Sequence, residues 1–339
     1  MDHRSASTKD DYETPKSDDR SHGPLSASPN PESLQFEYRE SAFGFLRDKL
    51  KSGLFKYLTK NSANLFLRGR DIISIDPQTV GVHEPRITSL IDYFASTGYS
   101  DFLIDIGANI GLTSCQNGNS FKRVDMFEPN PHCCKILEVN STIALHSTEY
   151  HIHHYGLGDE DKKSTLWVPR HNWGGAFIND KANSYDENDL ARKDEFQSLT
   201  KSNYFTIDIE IRKASFTLTM LLKELVDANL SSGVVKIDVE GYESEVLRGL
   251  AEAIPSQVQL FVVFESWKAV DVEKVVELFK GRAIAYKIVR QVAWKRTWPT
   301  AIKAAAMLLK PKISHRVIAN RTHDWRGDIV LQITPCVAT

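Results

Sequence analysis

The ten residues from Phe102 to Gly111, Phe-Leu-Ile-Asp-Ile-Gly-Ala-Asn-Ile-Gly, constrain this chain most. An apolar run carries an acid near its end, Asp105, and two glycines follow, Gly107 and Gly111. A helix-compatible stretch comes next. The pattern predicts a buried strand, a tight turn and a helix start. Glycines there let backbone approach a ligand closely, and the helix start adds unpaired N–H groups. A second apolar run, Val124-Asp-Met-Phe, ends in Glu128, 17 residues after Gly111. An acid at that strand end can accept two hydrogen bonds from a ribose diol. The two segments predict a nucleoside-binding sheet edge.

A dinucleotide turn reads G-x-G-x-x-G. Here the pattern is D-x-G-x-x-x-G, with Asp105 in place of the first glycine. A carboxylate beside the turn would repel a pyrophosphate. It suits a ligand with an ammonium group, such as the methionine part of S-adenosylmethionine. A nicotinamide oxidoreductase lacks the glycine it needs at position 105. A turn that binds nothing leaves Asp105, Asn109 and Glu128 without a role.

A third segment, Val234-Val-Lys-Ile-Asp-Val-Glu-Gly-Tyr-Glu243, repeats the theme of a strand ending in acids before a glycine and a helix. With Asp105–Gly111 and the turn Phe127-Glu-Pro-Asn-Pro131, it resembles the FkbM family of S-adenosylmethionine-dependent methyltransferases, over about residues 100–270. The resemblance implies O-methylation of saccharides and related hydroxyl-bearing natural products. It implies an α/β fold of the class I methyltransferase type, a Rossmann-like, doubly wound, seven-stranded sheet whose last strand is antiparallel. Two rivals remain: a methyltransferase of the same fold acting on a small molecule or lipid, and a non-catalytic donor-binding subunit.

For the donor, backbone around Gly107 and Gly111 is expected at the methionine part. Asp105 faces the ammonium, directly or through water. Asn109 hydrogen-bonds locally or orders the turn, and Glu128 takes the ribose hydroxyls. Gly158 and Asp159 fall near the adenine edge, unless Asp159 is a solvated turn acid beside Glu160 and Asp161. On the acceptor side stand Asp238 and Glu240, which share a face if the strand stays regular. Close carboxylates raise one another's pKa, which makes one a candidate base. With Glu265 they could equally hold a divalent metal that acidifies the hydroxyl. The plainer alternative has Glu240 capping the next helix and Asp238 orienting donor or loop. Lys236 reads as a structural salt-bridge partner. His171 and Trp173, before Gly174-Gly175, are substrate-binding candidates, since an indole stacks on a sugar and glycines let a loop close; otherwise they form a surface turn. His151, His153 and His154 lie on a strand, where alternation separates His154 from the other two, an arrangement that reads poorly as a metal site.

Along the 339 residues, 1–34 are polar and Pro-bearing and predict a disordered tail. Residues 35–86 read as a helical extension whose Phe43, Leu46, Leu50, Leu54 and Leu58 pack on the domain or form a partner-binding arm. The domain itself occupies 87–339, with strands Phe102–Ile106, Val124–Phe127, Tyr150–His154, Val234–Val239, Val258–Phe264, Ala283–Val289 and Ile329–Ile333 between helices. Two stretches exceed that plan. Residues 169–204 form an acceptor loop. Residues 294–326 form a basic helical insertion: from Arg282 to Arg326 there are eleven Lys or Arg and one acid. That insertion either touches a membrane surface or lipid-linked acceptor, or packs on the sheet with a solvated basic face. A net charge of −2 argues for no nucleic-acid partner. Four cysteines without metal spacing, no apolar run near the ~20 residues of a membrane span and no secretory leader predict a cytoplasmic enzyme, with contact to the inner membrane face as a further expectation.

Overall fold

The computed structural model of the chain describes residues 42–180, 190, 198–266, 270–290, 299, 300, 302, 315–319 and 325–336. The compact unit that carries the site is Gly53–Thr339. Its main sheet contains β1 (Phe102–Ile106), β2 (Arg123–Phe127), β3 (Glu149–His153), β8 (Ser232–Ile237), β9 (Gln259–Ser266), β10 (Ala283–Arg290), β11 (His315–Ala319) and β12 (Gly327–Ile333). Their spatial order is β11-β10-β12-β9-β8-β1-β2-β3. Strands β9, β8, β1, β2 and β3 run parallel, and β12 lies antiparallel between β9 and β10. That is the seven-stranded arrangement the resemblance implies, extended by β11 at the β10 edge.

Every residue of β1 is buried, which explains its continuous apolar run. Phe102, Ile104 and Ile106 face α6 (Ala214–Asp227) and α7 (Glu243–Ala253) through Leu218, Leu222, Val246 and Leu250. Leu103 turns the other way, toward Ile87, Ile91 and Phe94 of α3 (Pro85–Ser96) and Leu137 of α5 (Pro131–Ala144). The helix after β1 is short, as its Asn-Gly-Asn sequence predicts: α4 is Leu112–Asn117. The start of α5 also matches its sequence. Pro131 takes the first position, and the Asn130 side chain accepts a hydrogen bond from the His132 N–H.

Two regions differ from the sequence reading, the segment after β3 and the part of 294–326 that forms β11. After β3 a second, four-stranded sheet forms from β4 (Gly156–Gly158), β5 (Lys162–Pro169), β6 (Phe177–Ile178) and β7 (Tyr204–Lys213), in the order β4-β7-β5-β6. Strands β5 and β7 pair antiparallel from Lys162↔Ile211 to Pro169↔Tyr204. Their exposed positions carry Lys163, Thr165, Thr206, Asp208, Glu210 and Arg212, so neither strand gives a continuous apolar signal. The stretch 169–204 leaves and re-enters the sheet at one paired position; its residues 181–189 and 191–197 lie outside the described ones. The extension contains α1 (Ala42–Leu58), whose residues from Lys49 to Leu58 are exposed, and the short helix α2 (Ile75–Thr79). Most of the basic stretch 294–326, and the tail 1–34, lie outside the described residues; within 294–326, His315–Ala319 are the strand β11.

Candidate active site

The carboxyl ends of β1, β2, β8 and β9 open on one cleft, as expected of a doubly wound sheet. Gly107, Asn109, Glu128, Asp238, Glu240 and Glu265 line it, with Trp173 among the residues contributed by the insertion. The sequence-predicted donor and acceptor segments therefore do meet.

Glu128 is the centre of the donor side. It is 7% exposed, and each of its oxygens accepts one backbone N–H: Oε2 from Asn109 at 2.8 Å and Oε1 from Asn130 at 2.7 Å. Burial pushes its carboxyl up to about 7, against the two N–H bonds that lower it. A buried carboxylate with remaining lone pairs, and no salt bridge among the described residues, fits a pair of hydroxyl donors. Asn109 orders the turn through its backbone, at a φ of 51°. Gly107 has a φ of 87°, and a Cβ there would stand 1.8 Å from the Asp238 carbonyl oxygen. Two strand ends thus approach too closely for any side chain. We expect Gly107→Ala to weaken donor binding at least tenfold and lower thermal stability by about 2 kcal/mol or more; calorimetric titration and thermal melting would check both.

Four donor-side expectations change. Asp105 does not line the cleft. It follows Leu103 onto the α3 side of the sheet, is fully buried, and accepts a hydrogen bond from the Ser114 hydroxyl. Its other oxygen has no hydrogen-bond partner among the described residues. Gly111 caps α4 at a φ of 85°, but its missing side chain makes room for Leu137 and Cys115, not for a ligand. Gly158 packs against Ile211 in the second sheet, and Asp159 is exposed, 3.4 Å from the Lys162 ammonium. Gly156 and Leu157 reach the cleft instead.

On the acceptor side, β8 ends at Ile237, so the alternation that would align Asp238 with Glu240 stops before them. Glu240 has a φ of 49° and Gly241 a φ of 101°, a left-handed corner that turns the chain at the cleft. Tyr242, not Glu240, holds the N-cap position of α7, and Glu243 in its first turn accepts the Gly241 N–H. Lys236 forms the expected salt bridge, 2.9 Å from Asp238 Oδ2. It also stands opposite Asp105 in the β1–β8 register. Burial alone would lower the Lys236 pKa, but Asp238, Asp105 and Glu84 outweigh it and hold the ammonium charged. His171 is exposed and away from the cleft; its carbonyl accepts the Ile72 N–H. Trp173 does line the cleft. Its backbone N–H donates to Asp71 Oδ2 at 3.2 Å, and the Arg68 guanidinium lies 4.1 Å over its ring.

The sequence reading missed His83, Glu84 and Tyr242, all of which line the cleft. His83 and Glu84 immediately precede α3, in a segment that carries no motif. Burial, then the Lys236 ammonium, pushes the His83 imidazole down to about 4, so it is neutral near pH 7. Burial raises the Glu84 carboxyl, and Lys236 lowers it. The Tyr242 hydroxyl donates to Asp180. The histidines of β3 and the residue after it contact carboxylates: His151 stands beside Glu149, His153 beside Asp125 and His154 beside Glu138. Among the described residues, no three His, Cys, Asp or Glu side chains gather as a metal-binding group.

The chain matches the family model described as the methyltransferase FkbM domain over residues 105–283. It is 27% identical over 187 residues to methyltransferase sdnD of Sordaria araneosa, covering 52% of this chain and 70% of that protein. Among solved structures, an O-methyltransferase from Bacillus cereus in complex with SAH aligns at a TM-score of 0.36 and 8% identity, covering 85% of this chain and 90% of that one. An S-adenosylmethionine-dependent O-methyltransferase from Thermotoga maritima aligns at 0.34 and 11%, covering 75% and 67%. His83 and Glu84, which line the cleft, precede the matched segment. The strand order, the motif-bearing strand ends and the family match agree: this chain belongs to the FkbM family of S-adenosylmethionine-dependent methyltransferases.

Proposed function

We propose that this protein methylates a hydroxyl oxygen of a saccharide, in surface-glycan or secondary-metabolite biosynthesis. The observation that supports this reading is the makeup of the cleft. Asp238, Glu240, Glu265 and Glu84 gather along it, together with the Trp173 indole and its Asn172–Gly175 turn. Carboxylates accept hydrogen bonds from sugar hydroxyls, and an indole covers a sugar's apolar face. The donor, when bound, supplies a methyl group on an electrophilic sulfonium. Glu128 and the Gly107–Asn109 backbone hold its ribose and methionine parts. Asp238 and Glu240 orient the acceptor hydroxyl and take its proton as the oxygen–methyl bond forms. Asp238 also bonds the Lys236 ammonium, which fixes the orientation of its carboxylate.

Transfer of labelled methyl groups to a panel of sugars, oligosaccharides and nucleotide sugars tests the class of acceptor. Asp238→Asn and Glu240→Gln are expected to lower turnover on a methylated sugar roughly 100-fold or more while donor affinity changes little. Turnover is expected to persist in excess chelator. Normal rates in both variants would remove the acceptor-side role. Transfer to lipids or small aromatic hydroxyls but to no sugar would replace the saccharide by those acceptors. Tight donor binding with no transfer to any acceptor would favour a donor-binding subunit.

A further inference from the structure

Helix α1 has 17 residues, a length at which an isolated helix is marginal in water. From Lys49 to Leu58 no side chain is covered. Leu50 is 68% exposed, Leu54 59%, Tyr57 67% and Leu58 49%. Their spacing of i, i+4, i+7 and i+8 puts these four on one face. Phe55 lies beside that face, 61% exposed. Lysines border the face on both sides: Lys51 on one edge, Lys49, Lys56 and Lys60 on the other. The Lys60 ammonium sits 5.2 Å over the Tyr57 ring, as a stem reaching along an apolar surface would place it. Between Asp48 and Asp71 the chain has no acidic residue.

An apolar stripe bordered by cations, without a single acid, is the chemistry of a helix that lies in a membrane interface. The same stripe is a poor self-contact. Two copies meeting on it would bring lysine edges together with no carboxylate between them. We propose that residues 49–60 dock the protein peripherally on an anionic phospholipid surface, with Leu50, Leu54, Tyr57 and Leu58 entering the headgroup region and the lysines facing lipid phosphates. Among the described residues no helix is long and apolar enough to cross a membrane, so the contact is one of surface adsorption. The chain continues from this helix through Ile73 to His83 and Glu84, which line the cleft.

The full chain would be sedimented with vesicles of phosphatidylcholine alone or with one-quarter phosphatidylserine, at low and high salt. Binding is expected with the anionic vesicles at low salt and lost on neutral vesicles or at high salt. Lys56→Gln with Lys60→Gln should weaken partitioning roughly 30-fold, at about 1 kcal/mol per cation. Leu54→Glu with Leu58→Glu should abolish it. Both variants lie outside the cleft, so their donor affinity should match the wild type, which separates a failure of docking from a failure to fold or to bind donor. Wild-type protein left in the supernatant with anionic vesicles overturns the proposal. Unchanged binding by both variants overturns it too and moves the contact elsewhere, with the basic stretch 294–326 as the next segment to alter. A dimer in light scattering that Leu54→Glu dissociates would make the face a self-contact and overturn it as well.

Discussion

Replacing Glu128 by alanine is expected to weaken binding of S-adenosylmethionine and its demethylated product by roughly 100-fold or more, since hydrogen bonds to a charged group contribute about 1.5–3 kcal/mol each. The carboxylate has two backbone donors and stands at the end of β2, where a ribose diol would complete it. Its pKa near 7 makes the effect pH-dependent. Only the ionised form accepts two hydroxyl protons, so wild-type donor affinity should rise from pH 6 to pH 8 and level off above. Glu128→Gln should lose that dependence. Stability should show the opposite trend. The carboxyl titrates near 4.5 when unfolded and near 7 when folded, so the folded chain holds more protons between those values. Stability of the ligand-free protein therefore falls as pH rises through that window, by up to about 3 kcal/mol from this group. Glu128→Gln should flatten that slope. Titration calorimetry and thermal melts at pH 6, 7 and 8 read both effects, and donor affinity independent of pH and of the Glu128 side chain would remove this residue from the donor site.

Lys236→Met is expected to be the most destabilising single change in the cleft. The ammonium is buried beside Asp238, with Asp105 opposite it in register and Glu84 near the start of α3. Removing it leaves the buried Asp105, and the partly exposed Asp238 and Glu84, without a counter-charge; stranding a buried charge typically costs about 3–5 kcal/mol. For a domain of this size that corresponds to a Tm lower by about 10 °C. A second change, Asp105→Asn, should recover part of the loss, because it removes one of the stranded charges. A double-mutant cycle measures that coupling. A Lys236→Met protein that melts within 2 °C of the wild type would show that the acids simply take up protons when the lysine is gone.

The centre of the main sheet was legible because strands β1, β2 and β8 are buried on both faces. Phe102–Ile106 and residues 234–237 of β8 are mostly apolar, and an acid or glycine marks the end of each of the three strands. The second sheet was not legible, because β5 and β7 each have a solvent face and neither signals alone that it pairs with the other.

Within the site the same distinction holds. Glu128, Asn109, Gly107, Asp238, Glu240, Glu265 and Trp173 could be placed at the cleft from strand ends and turns, which are local features of the chain. The fate of Asp105 could not, because it depends on Ser114 one helix later and on Lys236 one strand away. Gly111 lacks a side chain for the sake of Leu137, 26 positions on, and Gly158 for the sake of Ile211. His83 and Glu84 carry no motif at all; they matter because α3 packs on the sheet and its start falls beside Lys236. Sequence alone determined where strands end and which acids stand there. Tertiary structure decided which of those acids face ligand and which face one another, because a carboxylate's role is set by the charges and donors that distant segments bring within a few ångströms of it.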